Sequence, residues 1–371
     1  MASTAETDAM RRAIALARTA LGNTNPNPAV GAVVLDAAGS VAGEGHTQRA
    51  GGNHAEIEAL TAAGDRARGG VLVTTLEPCR HEGRTGACTR AIVHAGIRRV
   101  VYAVGDPHDE AGGGAEELRA LGLDVESDVL ADEALADLEP WLLATRRRRP
   151  YVTWKYAATL DGRTAAADGT SRWITGPEAR RDVHRLRAQS DAVLVGIGTV
   201  LADDTSLTAR DWPGPDSRPG RQPLRVVVDG KARTPLSALI LDDSAPTMIA
   251  VGALADERRV KALAGAGAEI VEAPGPDGRV DLGALLAALY DRSARLLLVE
   301  GGARLASSFV RERLVDRIVG YHAPALLGAG PPVLADAGIP TISAAVRLNI
   351  CDVTQLGADV RITTAVRGNG R

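Results

Sequence analysis

The chain has 371 residues, enough for two domains of the usual ~150 residues and for two separate hydrophobic cores. With 4 Trp, 5 Tyr and 1 Phe, neither core can be built on aromatic rings, so Ala, Val, Leu and Ile must do the packing. Forty-three Lys and Arg against 46 Asp and Glu leave a net charge of −3, which excludes a nucleic-acid binder working by bulk electrostatics.

Residues 5–21 place Met10, Ile14, Ala17 and Leu21 at three- and four-residue steps, the stripe of an amphipathic helix. Glu6 and Asp8 precede Arg11 and Arg12 there, the reverse of an export signal. A Pro/Asn turn over 23–28 leads into a buried strand over 29–35. Strands follow at 71–76 and 99–104, with helices at 54–63, 87–95, 115–121 and 132–145, an alternation that predicts an α/β sheet. The run Arg146, Arg147, Arg148, Arg149 before Pro150 reads as a solvated linker and sets domains of 1–149 and 150–371. Beyond it, strands are expected at 151–156, 192–197, 224–229, 247–251, 269–272 and 295–300, with helical stretches between them, including one at 305–311. The Pro/Gly-rich segment 212–222 is an exposed loop, and 315–364 reads as consecutive strands. The longest apolar run, 192–202, is too short to cross a bilayer, so no membrane partner is expected.

Chemistry concentrates in two places. Cys79, Cys88 and Cys351 are too few for a disulfide framework, which points to a reducing cytoplasm and a metal or catalytic role. His54 at a helix start, Cys79 after a strand and Cys88 at another helix start can supply three zinc ligands and leave a fourth position open. Glu56, two residues after His54, can stay off the metal and move protons, the His-x-Glu and Pro-Cys arrangement of zinc deaminases. A closed zinc clasp or two unrelated buried cysteines is the alternative. In the second half, Glu300-Gly301-Gly302-Ala303-Arg304 sits between a strand and a helix, where glycines and a helix N-terminus suit a phosphate. Such a turn is by itself also a common structural element.

Asn25-Pro26-Asn27-Pro28, Gly43-Glu44-Gly45, His54-Ala55-Glu56, Thr75-Leu76-Glu77-Pro78-Cys79, Gly83-Arg84-Thr85, Cys88 and Asp106-Pro107 resemble the deaminase half of the bifunctional riboflavin-biosynthesis deaminase-reductases. Lys155, Thr159-Leu160-Asp161-Gly162-Arg163, Ser171, Arg187, Gly198-Thr199, Asp203-Asp204 and Glu300-Gly301-Gly302 resemble the reductase half of the same family. The resemblance implies an α/β chain in which a cytidine-deaminase-like zinc domain precedes a dihydrofolate-reductase-like domain. It implies hydrolytic deamination of a diaminopyrimidinone bearing a ribosylamino 5-phosphate, then NADPH-dependent reduction of the ribosyl group to ribityl. On the family's pattern Asn27, Arg84 and Asp106 bind the deaminase substrate. Ala157, Trp173, Thr199, Asp203, Gly302, Ala303 and Arg304 contact NADPH. Lys155, Ser171, Arg187, Leu207, Arg210 and Glu300 hold the reductase substrate. A homo-oligomer, dimer or tetramer, is implied as well. Thr47, Gly86-Ala87, His108 and Thr205 stand where the family commonly has His, Pro-Pro, Asn and Pro. Competing readings are a nucleoside or tRNA deaminase with an unrelated second domain, and a paralogue acting on a related pyrimidine.

Overall fold

The computed structural model describes residues 1–81, 86–108, 111–210 and 222–367. Arg84 and all of the expected loop 212–222 except Gln222 lie outside the described residues. The chain divides into two compact units, Met1–Arg146 and Arg147–Arg371.

The first unit runs α1 (Thr4–Ala20), β1 (Gly31–Leu35), β2 (Val41–His46), α2 (Ala55–Ala63), β3 (Val71–Leu76), α3 (Cys88–His94), β4 (Arg99–Val104), α4 (Gly114–Ala120), β5 (Asp124–Glu126) and α5 (Ala131–Arg147). A capping box starts α1: the Ser3 hydroxyl accepts from the Glu6 amide at 3.2 Å, and the Glu6 carboxylate accepts from the Ser3 amide at 2.7 Å. Met10, Ile14 and Ala17 are buried as their spacing predicts and Ala13 joins them, whereas Leu21 is the half-buried C-cap residue just beyond the helix. The sheet order is β2-β1-β3-β4-β5, antiparallel through β2, β1 and β3 and parallel from β3 to β5.

β2 is absent from the sequence reading, and its composition explains why. Gly43 and Gly45 carry no β-branched or apolar signal, yet both are needed where they stand. A Cβ at Gly43 would lie 2.3 Å from the Ala59 carbonyl oxygen, and one at Gly45 2.5 Å from that of Ala55. Helix α2 therefore rests directly on the backbone of β2, which fixes the height of His54 and Glu56 at its entrance.

The second unit runs β6 (Tyr151–Thr159), α6 (Pro177–Ala188), β7 (Ala192–Gly196), α7 (Ile197–Asp203), β8 (Leu224–Val228), β9 (Thr247–Val251), α8 (Glu257–Gly265) and β10 (Glu269–Glu272). It continues with α9 (Leu282–Asp291), β11 (Leu296–Val299), α10 (Ala303–Arg311), β12 (Arg317–Ala323), β13 (Leu348–Leu356) and β14 (Asp359–Val366). Its sheet has the order β10-β9-β8-β7-β11-β6-β12-β14-β13, parallel as far as β12 and antiparallel at the last two strands. Alternate residues of the parallel strands split into two cores. Ala192, Leu194, Val226 and Met248 pack with α9 and α10 on one face, whereas Val193, Val195, Val227 and Ile249 pack with α7 and α8 on the other. The expected run of strands over 315–364 is interrupted, since 324–347 holds only a short turn of 3₁₀ helix between β12 and β13. Among the described residues no helix is long and apolar enough to cross a membrane.

The arginine run is not a solvated linker throughout. Asp316, whose side chain is 2% exposed, accepts from Arg147 at 2.6 Å, from Arg149 at 2.7 Å and from the Val152 amide at 2.8 Å. Two of the four arginines thus neutralise a buried carboxylate at the root of β6. Asp316→Ala strands both cations and the amide, so urea unfolding of the full chain should show a loss of about 3 kcal/mol from the transition of the second unit.

Candidate active sites

In the first unit three donor atoms converge. His54 is the N-cap of α2, Cys79 follows β3 and Cys88 is the first residue of α3. His54 Nδ1 lies 3.6 Å from Cys79 Sγ and 3.4 Å from Cys88 Sγ, and the three ligand atoms all fall within 4.8 Å of one another. Hydrogen bonds from Cys88 and His54 hold the Cys79 thiol well below its ordinary value, while Cys79 and burial push Cys88 up. One imidazole and two sulfurs converging this closely make a donor set that suits zinc, and a bound cation would be what allows both sulfurs to be thiolates. Among the described residues no fourth His, Cys, Asp or Glu joins the cluster, which disfavours the closed clasp.

Glu56, 4% exposed, sits in the first turn of α2 beside this cluster. Burial pushes its carboxyl up to about 7, the Cys79 thiolate acting in the same direction and His54 opposing. Asp106 is raised by burial, and its charge reaches His54. What holds Asp106 there is Glu77 of the Glu77-Pro78-Cys79 motif, whose role is not legible from sequence. Its carboxylate accepts from the Asp106 amide at 3.1 Å and from the Ala115 amide at 2.9 Å. Asn27 lies half-buried in a turn closed by its amide on the Thr24 carbonyl at 3.0 Å, and Trp141 Nε1 donates to the adjoining Pro26 carbonyl at 2.8 Å.

The departures from the family pattern have distinct fates. Thr47 is buried, and its hydroxyl accepts from the Val30 amide at 3.1 Å, so it serves the strand ends. His108 is exposed, with its ring 5.6 Å from that of Trp141. Ala87 is the buried N-cap of α3, whereas Gly86 is exposed. Thr205 is half-buried, directly after the C-cap residue of α7.

In the second unit the C-terminal ends of neighbouring parallel strands gather the expected residues, the place where α/β sheets bind ligands. Lys155 projects from β6, and Glu300 follows β11. Glu300 accepts from Arg187 Nε at 2.5 Å and Nη2 at 3.0 Å, and from Lys155 Nζ at 3.5 Å. Burial alone would raise the Glu300 carboxyl, but Arg187 and then Lys155 outweigh it and hold the group at about 2. Burial in turn lowers Lys155, with Glu300 opposing. The Lys155 ammonium also stands 5.9 Å from the centroid of the Tyr321 ring.

Gly302 is the N-cap of α10, with Ala303 and Arg304 in its first turn, and Thr199 lies in α7. A Cβ at Gly302 would stand 3.9 Å from Thr199 Oγ1, so two helix entrances lie side by side with an open glycine between them. Trp173 is 70% exposed and carries the Arg180 guanidinium 4.5 Å above its ring. Arg172, which sequence reasoning missed, donates to the Asp203 carbonyl at 2.5 Å and so ties the segment holding Ser171 and Trp173 to the end of α7. Ala157 is half-buried in β6, paired with Tyr321 of β12. Leu207 is buried with a positive φ of 53°, and Arg210 is exposed beside Ser206 and Thr208.

Comparison with known proteins fits both centres. Residues 3–104 match the family described as the cytidine and deoxycytidylate deaminase zinc-binding region, and residues 150–362 match the RibD C-terminal domain. The chain is 44% identical over 361 residues to the riboflavin biosynthesis protein RibD of Mycobacterium tuberculosis, covering 97% of each. It superposes on RibD of Acinetobacter baumannii with a TM-score of 0.87 at 37% identity, covering 98% of this chain and 99% of that one. A Thermotoga maritima structure described as a diaminohydroxyphosphoribosylaminopyrimidine deaminase/5-amino-6-(5-phosphoribosylamino)uracil reductase gives 0.84 at 32% identity, with 98% and 99% coverage. The first unit is thus a cytidine-deaminase-like zinc domain and the second a dihydrofolate-reductase-like α/β domain. Matched in both halves, in order and over nearly its whole length, this chain belongs to the family of bifunctional riboflavin-biosynthesis deaminase-reductases.

Proposed function

We propose that residues 1–149 deaminate a 2,5-diamino-6-ribosylaminopyrimidinone 5′-phosphate and that residues 150–371 reduce the product with NADPH. The observation that carries this reading is the presence in one chain of two separate charged centres, His54/Cys79/Cys88 with Glu56 and Lys155/Arg187/Glu300.

In the first centre His54, Cys79 and Cys88 would hold zinc, which when bound would supply the Lewis acidity that makes water nucleophilic at neutral pH. Glu56 takes a proton from the attacking water and gives it to the departing amine, so a ring C–NH₂ and water become a carbonyl and ammonia. Asn27 and Asp106 orient the pyrimidine and ribose, with Arg84 on the phosphate.

In the second centre Thr199, Gly302, Ala303 and Arg304 cradle the cofactor phosphates at the paired helix entrances, with Ala157, Trp173 and Asp203 completing its contacts. NADPH when bound supplies a hydride. The bond to be reduced would be the C=N of the opened sugar, with C1′ turned toward the cofactor and the proton at nitrogen drawn from water. Lys155 and Glu300 order the sugar hydroxyls, while Ser171, Arg187, Leu207 and Arg210 hold the chain and its phosphate.

The net charge of −3 favours a small-molecule partner over nucleic acid, and Ile350 and Val353, 69% and 59% exposed on the edge strand β13, support self-association.

Purified protein offered the phosphoribosyl diaminopyrimidinone alone should release one ammonia per molecule. With NADPH added, mass spectrometry should find the deaminated, ribityl product. Metal analysis should give one zinc per chain, and Cys88→Ser should lower zinc content and ammonia release together while NADPH oxidation on the deaminated compound persists. A metal-free protein that still deaminates would overturn the zinc reading.

A further inference from the structure

Between α7 and β8, residues 208–210 form a short strap whose backbone is held from both sides by side chains rather than by neighbouring strands. On one side the Thr208 carbonyl accepts from Arg187 Nη1 at 3.1 Å, and the Arg210 amide donates to His184 Nδ1 at 3.1 Å. His184 and Arg187 lie three residues apart on α6 and therefore share a face. On the other side the Gln222 side-chain amide grips Ala209 twice: its Oε1 accepts from the Ala209 amide at 2.8 Å, and its Nε2 donates to the Ala209 carbonyl at 3.0 Å. The outward and inward polar groups alternate as in a strand between two partners. Within the strap Arg210 Nη1 donates to Ser206 Oγ at 2.6 Å and Thr208 Oγ1 at 2.9 Å, so guanidinium and hydroxyls form one cluster beside Arg187.

We propose that His184 and Gln222 are positioning residues of the reductase centre, which hold the 208–210 strap in register so that Arg210 and Thr208 meet the anionic end of the substrate. The proposal rests on the assignment of Arg187 and Arg210 to that substrate. An imidazole that accepts at Nδ1 carries its proton at Nε2, and an imidazolium would have no acceptor to offer the Arg210 amide. Burial, then Arg187 and Arg210, keep His184 below its ordinary value against the opposing Glu300 and Thr208 carbonyl, so the acceptor persists. Arg210 is itself exposed and Ala209 half-buried, and Thr208 is the one buried residue of the strap. Loss of a clamp therefore falls on substrate binding more than on folding.

The test is steady-state reduction by the full-length protein, using the deaminated ribosylaminopyrimidine as its 5′-phosphate and in dephosphorylated form. His184→Ala and Gln222→Ala should each raise KM for the phosphorylated compound about five- to tenfold and reduce the preference for it over the dephosphorylated one by a similar factor. KM for NADPH and the rate of ammonia release should stay at wild-type values. His184→Asn, whose Oδ1 can stand where Nδ1 stood, should recover most of the preference. The proposal is overturned if Arg210→Ala abolishes the preference while both clamp variants retain it, or if His184→Asn behaves as His184→Ala. An Arg210→Ala variant with unchanged preference would instead bring down the substrate assignment itself, and the clamps with it.

Discussion

Glu56→Gln should lower ammonia release by roughly 10² to 10⁴, the usual worth of a positioned proton-transfer group, and leave zinc content at one per chain. Glutamine preserves the length and shape of a side chain that is 4% exposed, so packing in the first turn of α2 is kept and only the capacity to take up and return a proton is lost. The three ligand atoms come from His54, Cys79 and Cys88, none of which the substitution touches. Stopped-flow or coupled ammonia assays together with metal analysis check both halves of the expectation. A variant that turns over within a factor of three of wild type would remove Glu56 from proton transfer.

The second large effect is expected at Glu300. Glu300→Gln removes the counter-charge of Arg187 and Lys155, whose side chains are only 12% and 15% exposed, and leaves two cations facing each other. Breaking a buried pair on one side costs about 3 to 5 kcal/mol, so thermal unfolding of the second unit should move down clearly. NADPH oxidation should fall about a hundredfold or more, since the bidentate bond that orients Arg187 goes with the charge. Ammonia release should be unchanged. The same carboxylate sets an acid limit. Held at about 2 in the folded protein against an ordinary carboxyl near 4.3, it leaves the unfolded chain to bind the proton first as pH falls. Its contribution is complete above the unfolded value and is lost as pH drops toward 2. A wild-type acid-unfolding profile that Glu300→Gln fails to flatten in this window would contradict that account.

How far the sequence reveals these sites depends on how local their signals are. His54, Glu56, Cys79 and Cys88 stand out because each marks the edge of a helix or strand with a residue type that metal or proton chemistry demands. Glu300 and Gly302 stand out for the same reason after β11. β2 escapes because its glycines answer to a helix packed across them, and β5 because three residues carry no period. Arg147 and Arg149 look solvated until Asp316, more than 160 residues later, comes into contact with them. Arg172, His184 and Gln222 work through backbone groups, and a side chain bonded to a distant amide or carbonyl leaves no spacing pattern to read.

The strand order of the larger sheet has a consequence for the order of synthesis. Among the described residues the five strands of the first unit's sheet all end by Glu126, so that sheet can close while the rest of the chain is still being made. β6 emerges next but belongs between β11 and β12, and Lys155 must wait for Glu300, 145 residues away in the chain. A nascent or prematurely terminated polypeptide is therefore equipped for hydrolysis before it can reduce anything, and it carries β6 with both edges bare. Chaperone demand and aggregation during translation should accordingly concentrate on the stretch between these two residues.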